Sequence, residues 1–150
     1  MIEFNNVTKT YKKTFTAVKD IDLKINKGEF IFIVGKSGAG KSTLIKLLLR
    51  EISPSQGIIT YNNQDINKIR KRSVAEYRRN IGFVFQDYRL LPKMTVYENI
   101  AFAMEMICCQ AKNIRREVPL VLSMVGLSDK AKYYPDELSG GEQQRVAIAR

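Results

Sequence analysis

Phe30-Ile31-Phe32-Ile33-Val34-Gly35-Lys36-Ser37-Gly38-Ala39-Gly40-Lys41-Ser42-Thr43 is the stretch that decides the fold. Its first five residues form an unbroken β-favouring apolar run, expected of a strand buried on both faces. Residues 42–50 follow as a helical stretch carrying Leu44, Ile45, Leu47, Leu48 and Leu49. Between them, Gly35 to Ser42 fits Gly-x-x-x-x-Gly-Lys-Ser, and strand, glycine-rich loop, helix is the setting in which that spacing makes a phosphate-binding loop. Glycines let the backbone curl with its N–H groups turned inward, and the helix start adds partial positive charge. Lys41 is placed to neutralise β- and γ-phosphates, and the Ser42 hydroxyl to ligate Mg²⁺. The loop's expected ligand set is Gly35, Lys36, Ser37, Gly38, Ala39, Gly40, Lys41, Ser42 and Thr43. A glycine-rich turn with an exposed lysine would need neither the strand before it nor the helix after it.

Before the loop, residues 2–11 and 17–25 alternate roughly between apolar and polar, which suggests an antiparallel ribbon, and Asn26-Lys27-Gly28 makes the turn that follows it. After it come a turn at 54–57, a short strand at 58–61, a short helix at 73–79 and a second apolar run, 81–85, expected to be a buried strand. A polar loop, 86–93, leads to Thr95-Val96-Tyr97-Glu98, a capping box opening a helix through about Cys108. The next helical stretch, 114–125, contains Pro119, which should kink or split it, and ends at Gly126, a left-handed cap.

A hydrophobic fraction of 45% in 150 residues suffices for one domain with a core. The longest apolar runs are too short to cross a bilayer, and Met1-Ile2-Glu3-Phe4 lacks a secretory pattern, so a cytosolic chain is expected. The two cysteines, Cys108 and Cys109, are adjacent, and the chain has no histidine. That excludes the usual zinc spacings, and both read as reduced packing residues. The net charge of +10 favours acidic partners, and much of it lies in Lys68, Arg70, Lys71, Arg72, Arg78 and Arg79. That run reads either as a solvated face or as a contact for anionic lipid headgroups.

Leu138-Ser139-Gly140-Gly141-Glu142-Gln143-Gln144-Arg145 is the second informative motif. Ser139 and Glu142 make another capping box, so a helix begins here. Two glycines in its first turn cost about 1 kcal/mol each relative to alanine. They make sense where another molecule's phosphate must come close to the backbone.

With the loop at 35–44, Val84-Phe85-Gln86-Asp87-Tyr88-Arg89-Leu90-Leu91, Thr95-Val96-Tyr97-Glu98-Asn99 and 138–146 together, the whole chain resembles the nucleotide-binding subunits of ATP-binding cassette (ABC) systems, and within them the cell-division branch. The resemblance implies an α/β P-loop NTPase core with an antiparallel β subdomain and a helical subdomain. Residues 1–86 and 138–150 would surround the ATP site, and about 87–137 would form the glutamine loop and helical part. It further implies that Tyr11 stacks on adenine and Val18 flanks the base. Gln86 would contact Mg²⁺ and the attacking water and sense a membrane partner. Ser139, Gly140 and Gly141 would contact the γ-phosphate held by another copy. Lys41 and Gln86 would be the catalytic residues, ATP and Mg²⁺ the ligands.

The partners so implied are a second copy across an ATP sandwich and an FtsX-like membrane protein, holding the chain at the cytoplasmic face of the inner membrane to drive cell-wall hydrolase regulation at division. The alternatives are a lipoprotein-releasing or macrolide-export ATPase and a soluble nucleic-acid-associated ABC protein, though no nucleic-acid partner is expected. The family's Walker B aspartate, catalytic glutamate, D-loop and switch histidine would lie beyond Arg150. The 150 residues alone are therefore expected not to hydrolyse ATP and to lack ladder partners for their buried strands.

Overall fold

The computed structural model describes residues 1–12 and 14–150, which form two compact units, 1–81 and 82–150. In the first unit, β1 (Ile2–Tyr11) and β2 (Phe15–Ile25) form the expected antiparallel ribbon. β3 (Gln56–Tyr61) joins the other edge of β1, and β4 (Gln64–Asp65) joins β3, giving the order β2-β1-β3-β4. The alternating apolar residues place Phe4, Val7, Val18 and Ile59 on the buried face. Helix α1 (Lys41–Leu48) adds Leu47 to this core. A one-turn 3-10 helix at Lys71–Ser73 runs directly into α2 (Val74–Arg79).

Tyr77 fastens α2 to the end of α1. Its ring packs edge-on against Tyr61 at 5.7 Å, and its hydroxyl donates to the Leu48 carbonyl at 2.6 Å. Burial, with the neighbouring Tyr61, pushes its pKa up to about 12, so this donor keeps its proton. Arg78 and Arg50 do related work. Arg78 donates to the carbonyls of Leu49 and Arg50, and Arg50 to those of Asn67 and Ile69. The carbonyls at the C-terminal end of α1 thus meet a phenol at Leu48 and a guanidinium at Leu49 and Arg50.

The second unit is helical: α3 (Val96–Met106), α4 (Ala111–Met124) and α5 (Gly140–Ala149). Val96 and Ile100 of α3, Val118 and Leu122 of α4, Leu127 and Val146 share one core, each nearly or fully buried. Residues 138–150, expected beside the ATP-binding core, pack here, through Leu138 and Val146. Helices α3 and α5 both open with capping boxes. Thr95 and Ser139 accept from the backbone N–H of Glu98 and Glu142, while each glutamate accepts from the cap's own N–H and hydroxyl. Gly126, at φ 67°, ends α4 as expected, and Leu127 N–H reaches back to the Leu122 carbonyl at 2.9 Å while its side chain enters the core.

Four expectations need correction. The runs 30–34 and 81–85 are not ladder strands and are not buried. Phe30, Phe32 and Val34 are about four-fifths exposed, and no strand among the described residues lies alongside to take their backbone hydrogen bonds. Each run is nonetheless extended enough to pair aromatics two residues apart, Phe30 with Phe32 at 4.9 Å and Phe83 with Phe85 at 4.7 Å. Pro119 does not split its helix. It lies on the exposed face of α4, where solvent can bond the carbonyl left without an N–H. Cys108 is exposed rather than packed, at φ 61° in the turn after α3, and only Cys109 touches the core.

Hydrogen bonds from their caps hold the carboxyls of Glu98 and Glu142 below the ordinary value of 4.5. A depressed folded-state pKa contributes stability that is complete above the ordinary value and lost as pH falls through the lowered one. Acid titration of the thermal midpoint should therefore show a fall below pH 4.5 that is shallower in the Glu98→Gln/Glu142→Gln pair, whose amides need no ionisation. An equally steep fall in that variant would contradict the assignment.

Candidate nucleotide-binding site

The glycine-rich loop curls where the sequence places it. A turn closes with Ala39 N–H on the Lys36 carbonyl at 3.2 Å, and Gly40, at φ 88°, starts α1. A side chain at Gly40 is excluded twice over. The left-handed backbone disfavours it, and an added Cβ would overlap the Ala17 carbonyl oxygen and sit 2.6 Å from Val18 Cγ1. The loop is thereby pressed against β2, and Val18, expected beside a base, is buried at this contact.

Lys41 leaves the helix and folds back over the loop. Its ammonium donates to the carbonyls of Gly35 at 2.7 Å and Lys36 at 2.9 Å. A full positive charge therefore stands inside the curl, beside the first, unpaired amides of α1. Ser42 is exposed on the first turn, and Thr43 is buried beneath it. Gly35, Lys36, Ser37, Gly38 and Ala39 are all exposed, so the loop's inner face is open to a ligand. An exposed glycine-rich loop with a fixed cation beside a helix start fits an anionic ligand such as a polyphosphate.

Tyr11 ends β1, paired with Phe15 across the ribbon, and Lys9 Nζ stands 5.4 Å from its ring centre. Its ring is half-buried and Phe15 is largely exposed. In register terms Lys9 faces Val18, so Tyr11 lies two residues along β1 from the position opposite the loop's contact.

In the second unit, Gln86 is exposed at a tight turn, with Tyr88 N–H on the Phe85 carbonyl at 3.0 Å. Tyr88 and Arg89 take positive φ values, and the Arg89 guanidinium stacks 3.8 Å from the Phe85 ring centre. The other side of this loop is fixed by a residue sequence reading passed over. Asn99 is fully buried and uses both ends of its amide. It accepts from Leu91 N–H at 2.8 Å and donates to the carbonyls of Leu91, Met94 and Thr95 at 3.0–3.1 Å. Its position on the apolar stripe between Val96 and Ile100 was the available signal, since a polar residue there must find partners.

Ser139, Gly140 and Gly141 open α5 on an exposed face. A Cβ added at Gly140 would meet nothing within 4 Å, and one at Gly141 only Arg145 at 4.0 Å. The fold itself does not need these glycines. Gln143 donates to the carbonyls of Pro135 and Leu138 at 2.8 and 3.2 Å, which anchors the approach to the motif.

The family model described as ABC transporter matches residues 18–150. The chain is 54% identical to the cell division ATP-binding protein FtsE of Mycobacterium tuberculosis over its whole length, covering 66% of that protein. It is 45% identical to the methionine import ATP-binding protein MetN 3 of Oceanobacillus iheyensis, again over the whole chain but covering 45% of the relative. The dimeric structure of MJ0796, a bacterial ABC transporter cassette, superposes with a TM-score of 0.89 at 37% identity, over 99% of this chain and 68% of that one. A second structure of that cassette, in a post-hydrolysis state bound to ADP and Pi, matches at 36% identity with the same TM-score and coverage. The chain thus spans about two thirds of the length of the FtsE proteins it matches. Its α/β P-loop architecture, with an antiparallel sheet and a helical part, is that of the ABC ATPase cassette. With the family model covering most of its length and relatives above half identity, the chain belongs to the ABC transporter ATP-binding family.

Proposed function

We propose that the chain is the ATP-binding part of an FtsE-like subunit, which hydrolyses ATP in a complex with an FtsX-like membrane protein to drive cell division. The observation that carries the reading is the charged curl itself: Lys41 fixed on the carbonyls of Gly35 and Lys36, within a loop whose residues 35–39 are all exposed. The division role draws support from FtsE relatives at 50–54% identity.

In this reading the amides of residues 35–43 hold the triphosphate, and Lys41 moves from its carbonyls to the β- and γ-phosphates. Tyr11 stacks on the adenine, with Val18 beside it. Ser42 would hold Mg²⁺, Gln86 is proposed as a further ligand, and the ion would supply positive charge to the phosphates. Ser139, Gly140 and Gly141 serve a second copy's γ-phosphate, which accounts for glycines that the fold leaves unsupported. The subunit sits peripherally at the cytoplasmic face of the inner membrane through its partner. No helix among the described residues is long and apolar enough to cross a bilayer.

A second reading, the ATPase of an import system, is favoured by the MetN relatives at 41–45% identity. Co-purification from membranes separates the two. An FtsX-like partner is expected, and recovery of an importer permease in its place would overturn the division role.

Two variants test the nucleotide chemistry. Lys41→Ala removes a charge-assisted contact, so Mg-ATP affinity should fall about 50-fold by calorimetry, with the melting temperature kept. Unchanged affinity would remove the loop from the site. Gly140→Ala should leave the uncomplexed chain as stable or raise its stability by up to about 1 kcal/mol, because alanine favours helix. ATP-dependent pairing, followed by light scattering, should weaken at least about tenfold, since a new Cβ enters the phosphate approach. Pairing at full strength would contradict the role given to this motif.

A further inference from the structure

Residues 68–79 carry six cations, Lys68, Arg70, Lys71, Arg72, Arg78 and Arg79, against one acid, Glu76. That surplus of five is half of the chain's net +10. The nucleotide site does not use it. The structure divides these cations by task. Arg78 is committed to the carbonyls of Leu49 and Arg50, and Lys68 lies 3.8 Å from Asp65. Arg70, Lys71 and Arg72 are different. They are consecutive and exposed, on the extended residue and 3-10 turn that lead into α2, and among the described residues no carboxylate pairs with them.

We propose that Arg70, Lys71 and Arg72 form a docking surface for the anionic headgroup plane of a lipid bilayer, in direct contact with lipid and additional to any protein partner. Three adjacent cations with no acid to satisfy them repel one another and gain most from a surface of opposite charge. The hollow next to them, about 450 Å³ and lined by Arg50, Glu51, Ile52, Lys71, Val74 and Arg78, is mixed in character. Its arginines already donate to backbone carbonyls, Arg78 to those of Leu49 and Arg50 and Arg50 to those of Asn67 and Ile69. The run therefore suits a diffuse plane of charge better than one discrete phosphate.

Nucleic acid is the competing polyanion, and the same residues speak against it. Single-strand binding relies on exposed rings for base stacking. The one aromatic in 68–79, Tyr77, is 6% exposed with its hydroxyl spent on Leu48. Helix α2, six residues long, is short for reading a groove.

The test is co-sedimentation of the intact protein with phosphatidylcholine vesicles and with vesicles that also contain phosphatidylglycerol. Binding should appear only with the anionic lipid and fade as salt rises. Each cation contributes about fivefold to partitioning, so Arg70→Gln/Lys71→Gln/Arg72→Gln should weaken binding on the order of 100-fold. Arg70→Lys/Arg72→Lys should keep it, and this charge-preserving pair together with the salt series decides the matter if the triple variant is poorly folded. Lys41→Ala should bind vesicles normally, and the triple variant should bind Mg-ATP normally, so loss of either function is read apart from the other. Equal binding to neutral vesicles, full binding by a folded triple variant, or displacement of the protein from vesicles by an oligonucleotide at matched charge would overturn the proposal.

Discussion

Gly40 is the point on which the first unit turns. Its left-handed φ and its contact with the Ala17 backbone and the Val18 side chain leave no room for a side chain. That single close approach joins three things: the end of the phosphate loop, the start of α1, and the strand of the ribbon that pairs with Lys9 and Tyr11. Because α1 begins there, its unpaired amides face the curl. Because Lys41 is the next residue, its chain can fold back onto the carbonyls of Gly35 and Lys36. The far end of the same helix is fixed by Tyr77, Arg78 and Arg50, so the loop rests on a helix held at both ends.

The second unit reaches its precision through small polar devices around one apolar core. Two capping boxes set where α3 and α5 begin. Asn99, buried on the core face of α3, ties down residues 91–95 with four hydrogen bonds, and so braces the segment that follows Gln86. Buried polar groups of this kind are costly unless every bond is made, and here both the oxygen and the nitrogen are engaged. The signature glycines are the opposite case. They sit at a helix start with open space before them, and the fold gives them no packing reason.

Much of this was legible because local chemistry decided it. The Gly-x-x-x-x-Gly-Lys-Ser spacing fixed loop and helix, and Thr95–Glu98 and Ser139–Glu142 announced their capping boxes. Gly126 announced its cap. What the sequence hid was non-local. The apolar runs at 30–34 and 81–85 have strand composition, but a strand needs a neighbour, and none of the described residues supplies one. Pro119 looked like a break because its cost was counted without its exposure. Asn99 was passed over as one letter of a family token, since its partners lie in a loop whose path no periodicity gives. The contact of Gly40 with Ala17 depends on strand register across the ribbon, which shifts more than once along β1 and β2.

The curl at 35–43, with Lys41 as its charge, is proposed as a triphosphate site. A crystal structure of the intact protein with Mg²⁺ and a nonhydrolysable ATP analogue tests it most directly. Phosphates are expected inside the curl, with the Lys41 ammonium moved from the carbonyls of Gly35 and Lys36 to the β- and γ-oxygens. A triphosphate bound elsewhere, with Lys41 still on those carbonyls, would contradict it.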